Sequence, residues 1–361
     1  MSRRVLVLSG GTGASNNLVR SLKTDDPSLL VAAANSDRFI LKKSPADRHY
    51  LTPPPEHPEF VAALRRLITA EDIHLLIPSS DADVRLASGL REEIRCRVFL
   101  PSERLIEVCQ DKFELTSFLR SRGVPAPLTY PVTDLAAVDD VFRRFGPRPQ
   151  LWCRIRTGSG SRGAIPVKTP EQARHWIAYW HEMRGVPVTA FTLSEYLPGR
   201  DFAAQSIWND GSLVLFKMCE RLDYFGGGSQ PSGVSSTPAL AKTVFEPSVV
   251  DVCRAAVQAL DERASGVFGI DLKEDENGVP CITEINAGRF FMITSIFDLT
   301  GKYSMAGTYV RVALGNSVDI ADPCDVAEDY YLVRDLDTLP GIYHADELSQ
   351  DVIEMSSVTT H

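Results

Sequence analysis

The stretch GVFGIDLKEDENGVPCITEINAGRF, residues 266–290, constrains the chain most. Val267–Lys273 and Pro280–Asn286 are β-prone runs joined through Asn277–Gly278, a pair that favours tight hairpin turns because both residues tolerate positive φ. A two-residue loop there sets Glu276 against Val279 and Asp271 directly against Glu284, with Cβ atoms about 5 Å apart. Asn286, two positions beyond Glu284, shares their face. This reading places Phe268 and Ile282 beside the acids, and Ile270, Leu272, Thr283 and Ile285 on the opposite face. Facing carboxylates repel, so a cation is called for. Two carboxylates and an amide oxygen are hard ligands that suit Mg2+, with Mn2+ as a substitute. The alternative is a solvated acidic face, which Phe268 and Ile282 disfavour. Arg289 follows closely, where a guanidinium can neutralise a transferring phosphoryl group or an acyl phosphate.

A second glycine-rich segment, WCRIRTGSGSRGAIPV at 152–167, lies between two predicted strands. Backbone N–H groups of Gly158, Ser159, Gly160 and Ser161 can wrap anionic oxygens. Arg154 and Arg156 precede the loop, and Arg162 sits within it. No GK[ST] follows, so this is not a Walker loop; it reads as a flexible lid between strands. Lys112 opens a helix predicted over 111–122, ended by Gly123 and Pro125, at a domain junction of the kind where pockets form. In LSEYLPGRDF, 193–202, a strand closes at Glu195 and a connector carries Tyr196, Leu197 and Asp201. The long polar loop ERLDYFGGGSQPSGVSSTPAL, 220–240, either frames an acceptor site, with Arg221 near bound phosphates, or is a mobile surface loop.

The N-terminal part alternates short apolar runs (5–8, 29–34, 74–78, 97–100) with helical segments, a pattern for a parallel α/β unit. Its opening LSGGTGAS carries Gly11 and Gly13 of a dinucleotide fingerprint, but the third glycine position is Asn16, and the acid after the second strand, Asp37, comes late. A tight strand-to-helix turn explains these glycines better than a cofactor site. From about residue 150 the strands come in hairpins with NDG and ENG turns, an α+β pattern.

The chain has 361 residues and net charge −9 without a Lys/Arg block, which sets nucleic acid aside as a partner. No apolar run approaches the ~20 residues of a membrane span. Seven cysteines without a CxxC read as free thiols in the cytoplasm, and neither they nor the histidines show metal-ligand spacing.

Taken in order, DK at 111–112, RIRTGSGSRG at 154–163, SEYLPGRDF at 194–202 and GIDLKEDENGVPCITEINAGRF at 269–290 resemble the ATP-grasp superfamily, most closely the branch related to the carbamoyl-phosphate synthase large chain. The resemblance covers roughly residues 1–315. It implies an α/β plus α+β chain, an ATP-grasp fold preceded by a parallel α/β domain. The divisions are 1–110 for that domain, 111–190 for a small grasp subdomain bearing the lid, 191–316 for a large subdomain bearing the Mg-ATP site, and 317–361 for a tail of undefined fold. It further implies that Lys112 and Arg154 contact the ATP phosphates under the loop 158–163, that Glu195, Tyr196 and Leu197 hold adenine, and that Asp201 holds ribose. Asp271, Glu284 and Asn286 would bind Mg2+, and Arg289 would stabilise the transferred phosphoryl group. Arg154 stands where lysine is commoner, as in the synthase branch, and NAGR is one residue longer than the usual NPR. A single grasp unit, without evident glutamine-dependent ammonia delivery, argues against carbamoyl phosphate synthesis as the whole activity. The implied activity is ligation of a small-molecule carboxylate to an amine or other nucleophile through an acyl phosphate, releasing ADP and phosphate; a homodimer is compatible with it. Two rival classes are an ATP-binding regulator without turnover and an NAD(P)-dependent reductase built on Gly11 and Gly13.

Overall fold

The computed structural model describes residues 3–158, 160–235, 237–336, 339 and 341–347. Strands β1 (Arg4–Val7), β2 (Leu30–Asn35), β3 (Arg48–Leu51), β4 (Leu75–Ile77) and β5 (Arg97–Val98) form a parallel sheet in the order β3-β2-β1-β4-β5. Both faces are covered, which is why β1 and β2 read as unbroken apolar runs. Val5, Val7 and Ala33 pack with Leu18 and Leu22 of the helix Gly13–Asp25, while Leu6, Leu8 and Ala32 pack with Leu64 and Ile68 of the helix Phe60–Ala70. β3, with the sequence RHYL, has no counterpart in the sequence reading. It is an edge strand, mostly exposed, and only its backbone pairing with β2 defines it. Strand order reverses between β1 and β4, so the loops after these two strands diverge and open a crevice at the carboxyl end of the sheet.

The glycine turn after β1 is steric in origin. Gly11 has φ +88°, and a Cβ there would lie 1.9 Å from the Ile40 carbonyl oxygen. Asp37 caps the short helix Arg38–Leu41, accepting from the N–H groups of Phe39 and Ile40, so the acid of a ribose-binding fingerprint is spent on local structure.

A four-stranded antiparallel sheet follows: β6 (Thr129–Pro131), β7 (Leu151–Ile155), β8 (Ile165–Val167) and β9 (Phe191–Glu195), in the order β6-β9-β7-β8. The third sheet holds β10 (Asp201–Asn209), β11 (Ser212–Tyr224), β12 (Pro238–Thr243), β13 (Gly266–Glu274), β14 (Pro280–Ala287), β15 (Tyr330–Val333) and β16 (Gly341–His344), in the order β14-β13-β10-β11-β12-β15-β16. One face buries Phe202, Phe216, Phe268 and Ile270 against the helices Lys112–Ser121 and Pro247–Leu260, the main core. Two short strands of the segment beyond residue 317, left without a fold by the sequence, extend this sheet from β12 as β15 and β16. No helix among the described residues is long and apolar enough to cross a membrane.

Candidate active site

Asp271 faces Glu284 across β13 and β14, as the sequence predicts, but by another route. The hairpin loop has three residues between Asp275 and Val279 rather than two: the Asp275 N–H donates to Val279 O (3.0 Å), and Gly278 takes φ +76°. Glu274 therefore faces Pro280, one residue out of the expected register, and a β-bulge at Thr283 restores it. The bulge turns Ile282 into the core. Phe268 lies there too, being an odd number of positions from Asp271, so neither residue flanks the acids as expected. Thr283, expected on the face opposite the acids, lines the cavity instead. Its hydroxyl donates to Asp271 O (3.1 Å), and its carbonyl, turned out of the ladder, accepts from Arg154 Nη2 (3.0 Å).

The three sheets enclose a cavity of about 460 Å³. Lys112, Arg154, Gly158, Gly160, Ser161, Glu195, Tyr196, Leu197, Asp201, Arg221, Asp271, Glu284, Asn286 and Arg289 all line it; Ser159 lies outside the described residues. Each side chain is fixed by local structure. Lys112 is the first residue of its helix, which Asp111 caps by accepting from the N–H groups of Phe113 and Glu114. Its Nζ donates to Gly158 O (2.6 Å) and lies 3.4 Å from a Glu284 oxygen. Arg156 does not point at the acids: it pairs with Asp111 and Glu114. Arg162 lies over the Trp180 ring. The Glu195 carboxylate accepts from the Leu128 N–H (2.8 Å) and Arg148 (3.0 Å), pinning the connector that carries Tyr196 and Leu197.

Arg221 lies between two acids, its side chain 11% exposed. Its Nε donates to Asp201 (2.7 Å) and its Nη1 to Asp271 (2.7 Å). Burial alone would lower the pKa of this guanidinium, yet Asp201 and Asp271 hold it well above the usual value. The second Asp201 oxygen accepts from the Tyr224 hydroxyl. Burial pushes the Asp271 carboxyl up, Arg221 pulls it down, and Glu284 and Asp201 push it up again. Asn286 joins the cluster, donating to Asp271 (3.3 Å) and accepting from Arg289, whose Nε donates to Asp81 (2.6 Å). The extra residue of NAGR, Gly288, turns at φ +86° and still delivers Arg289 to the cavity.

Arg154 differs from these cations. It is 9% exposed, and burial lowers its pKa while Glu284 and Asp271 raise it. Its Nε has no hydrogen-bond partner among the described residues. Buried N–H groups are rarely left so, and a charged one facing a cavity fits an anionic ligand. No group of three or more His, Cys, Asp or Glu among the described residues is placed to hold a metal. The hard-oxygen set here is Asp271, Glu284 and the Asn286 amide, which fits a hard dication next to that anion.

Sequence reasoning missed Asp81, Tyr224 and Lys273, all of which line the cavity. For Asp81 a signal was present: SSD follows the strand at 75–77, and Ser80 caps the helix Asp81–Gly89 at the reversal of strand order.

A family model described as an ATP-grasp domain matches residues 109–290. No curated protein matches the sequence. Among solved structures, the chain is similar to N5-carboxyaminoimidazole synthetase from Staphylococcus aureus complexed with ADP (TM-score 0.69, 12% identity, covering 93% of this chain and 83% of that one). It is also similar to L-amino acid ligase from Bacillus licheniformis (0.68, 13%, 92% and 79%) and to biotin carboxylase from Campylobacter jejuni (0.68, 12%, 92% and 75%). At these identities the likeness is one of fold.

Proposed function

Because the chain belongs to the ATP-grasp family, we propose that it is an ATP-dependent ligase joining a small-molecule carboxylate to an amine or other nucleophile. The observation that carries this reading is the buried Nε of Arg154, without a partner among the described residues, beside the facing carboxylates of Asp271 and Glu284. Adenine would lie against Glu195, Tyr196 and Leu197, with ribose near Asp201. Lys112 and Arg154 would hold the phosphates, and the segment bearing Gly158, Gly160 and Ser161 would close over them. Mg2+ or Mn2+, held by Asp271, Glu284 and Asn286, would neutralise charge on the terminal phosphates.

In this scheme a substrate carboxylate oxygen attacks the γ-phosphorus, the bond to the β,γ-bridging oxygen breaks, and ADP leaves. Arg289 stabilises the moving phosphoryl group. The nucleophile then bonds to the acyl carbon, the carbon–oxygen bond to phosphate breaks, and an amine nucleophile gives up a proton. Exclusion of water protects the acyl phosphate meanwhile.

Heavy-oxygen labelling tests this. A carboxylate carrying the label should pass one labelled oxygen to released phosphate, with ADP as the other product, and the screen for the carboxylate is ADP release itself. Label appearing in AMP, or no ADP with any carboxylate, would defeat the scheme. Lid closure is checked separately. Thr157, Gly158 and Gly160 are exposed, so little packing holds the free segment and its amides should exchange fast. MgATP should slow that exchange; identical rates with and without nucleotide would rule closure out.

A further inference from the structure

Two arginines remote in sequence meet beside the cavity wall. Arg20 lies on the helix Gly13–Asp25, near whose start Thr12, Gly13 and Ala14 line the cavity. Arg334 follows β15. Arg20 Nη1 donates to Asn17 Oδ1 (3.0 Å), and Asn17 in turn donates to the Met292 carbonyl. Arg334 Nη2 donates to that same carbonyl (2.8 Å), and its Nη1 to Pro238 O (3.3 Å). Met292 and Pro238 are themselves cavity residues.

Every one of these partners is neutral. Among the described residues neither guanidinium has a carboxylate within ion-pair distance, although the chain carries 47 acidic against 38 basic residues and could have supplied one. Both side chains are partly buried. Burial lowers the pKa of each, and the charge of Arg20 helps bring Arg334 down to about 10. Two partly desolvated like charges without a counterion are costly. Of the five N–H donors each guanidinium carries, bonds to described residues use one on Arg20 and two on Arg334. The rest form planar forks that match carboxylate or phosphate oxygens.

We propose that Arg20 and Arg334 form a site for an oxyanion, a carboxylate or phosphate, that one of the ligated substrates carries in addition to its reacting group. Assignment of the anion to a substrate rests on the ligase reading; the existence of the site does not. The consequence for substrate class is that a small neutral nucleophile would leave the pair uncompensated, whereas an anionic substrate would reach past Met292 and Pro238 of the cavity lining to the two arginines, which stand just behind it.

The test uses the full chain saturated with Mg2+ and the non-hydrolysable β,γ-imido analogue of ATP, so that the nucleotide phosphate positions are filled. Inorganic phosphate and acetate are titrated separately, with labelled-ligand dialysis and thermal unfolding as readouts. The wild type should bind at least one of them, and Arg20→Gln and Arg334→Gln should each bind it at least tenfold more weakly while keeping nucleotide affinity. Stronger binding of phosphate points to a phosphorylated substrate, and of acetate to a carboxylate; either supports the site. Without added anion, either variant should be as stable as the wild type or more so, since an uncompensated cation has gone. Absence of binding to a wild type that holds nucleotide, or equal binding to wild type and both variants, would overturn the site. Failure of the wild type to bind nucleotide would instead count against the ligase reading. If Arg334→Gln does not fold, Arg20→Gln carries the comparison.

Discussion

Arg221→Met should destabilise the fold by about 3–5 kcal/mol near neutral pH, the usual effect of removing one partner from a buried ion pair. Asp201 and Asp271 would remain largely shielded from solvent, with no cation between them and with Glu284 close by. The deficit should depend on pH with a definite sign. Burial already holds the Asp271 carboxyl above its ordinary value, and Arg221 is what pulls it down; without the guanidinium it rises further. A carboxyl whose folded pKa exceeds its unfolded value favours the fold most when protonated, and that advantage is lost as pH rises through the folded value. The deficit should therefore be smallest in acid and should grow toward neutral pH as the Asp271 carboxyl ionises. Urea unfolding of variant and wild type across this range checks it. A gap that stays constant, or widens toward acid, would show that the three carboxylates do not repel as the geometry requires.

The second large effect is on turnover. Glu284→Gln removes one charge from the facing pair at almost constant volume, and should lower kcat/KM on the order of 100- to 1,000-fold, the scale of losing one electrostatic group from a transition-state site. Stability should hardly fall. The ion pair with Lys112 is long, at 3.4 Å, and its loss is offset by relief of repulsion with Asp271. ADP release measured at limiting Mg2+, beside thermal unfolding, separates the two quantities. Near-normal turnover would take Glu284 out of the reaction, and a collapsed unfolding temperature would make its role structural.

The sequence carried the acid pair because side-chain alternation in a hairpin is local, and Asp271, Glu284 and Asn286 differ only by short steps along it. It could not carry the bulge at Thr283, because loop length and bulge are each off by one residue and the two shifts cancel at Asp271. The buried strands β1, β2 and β4 were legible as apolar runs. β3 was not, since an edge strand needs only one backbone partner and RHYL advertises none. β15 and β16 are short and add to the free side of β12, a position no local pattern encodes. The same holds for Asp81 on Arg289 and for Arg20 beside Arg334: each half is an ordinary surface residue until the fold brings the other.

In register terms, Thr283 is a spare residue. A strand that ran from Ile282 straight to Glu284 would keep Leu272 against Ile282 and Asp271 against Glu284, in a regular ladder with the same alternation. What it would lose is the carbonyl that leaves the large sheet to meet Arg154 on the small one. Charge pairing on the hairpin and the tether to the opposite cation are thus written in different residues. A lineage shortened by that single position would keep its carboxylates together while its guanidinium came adrift.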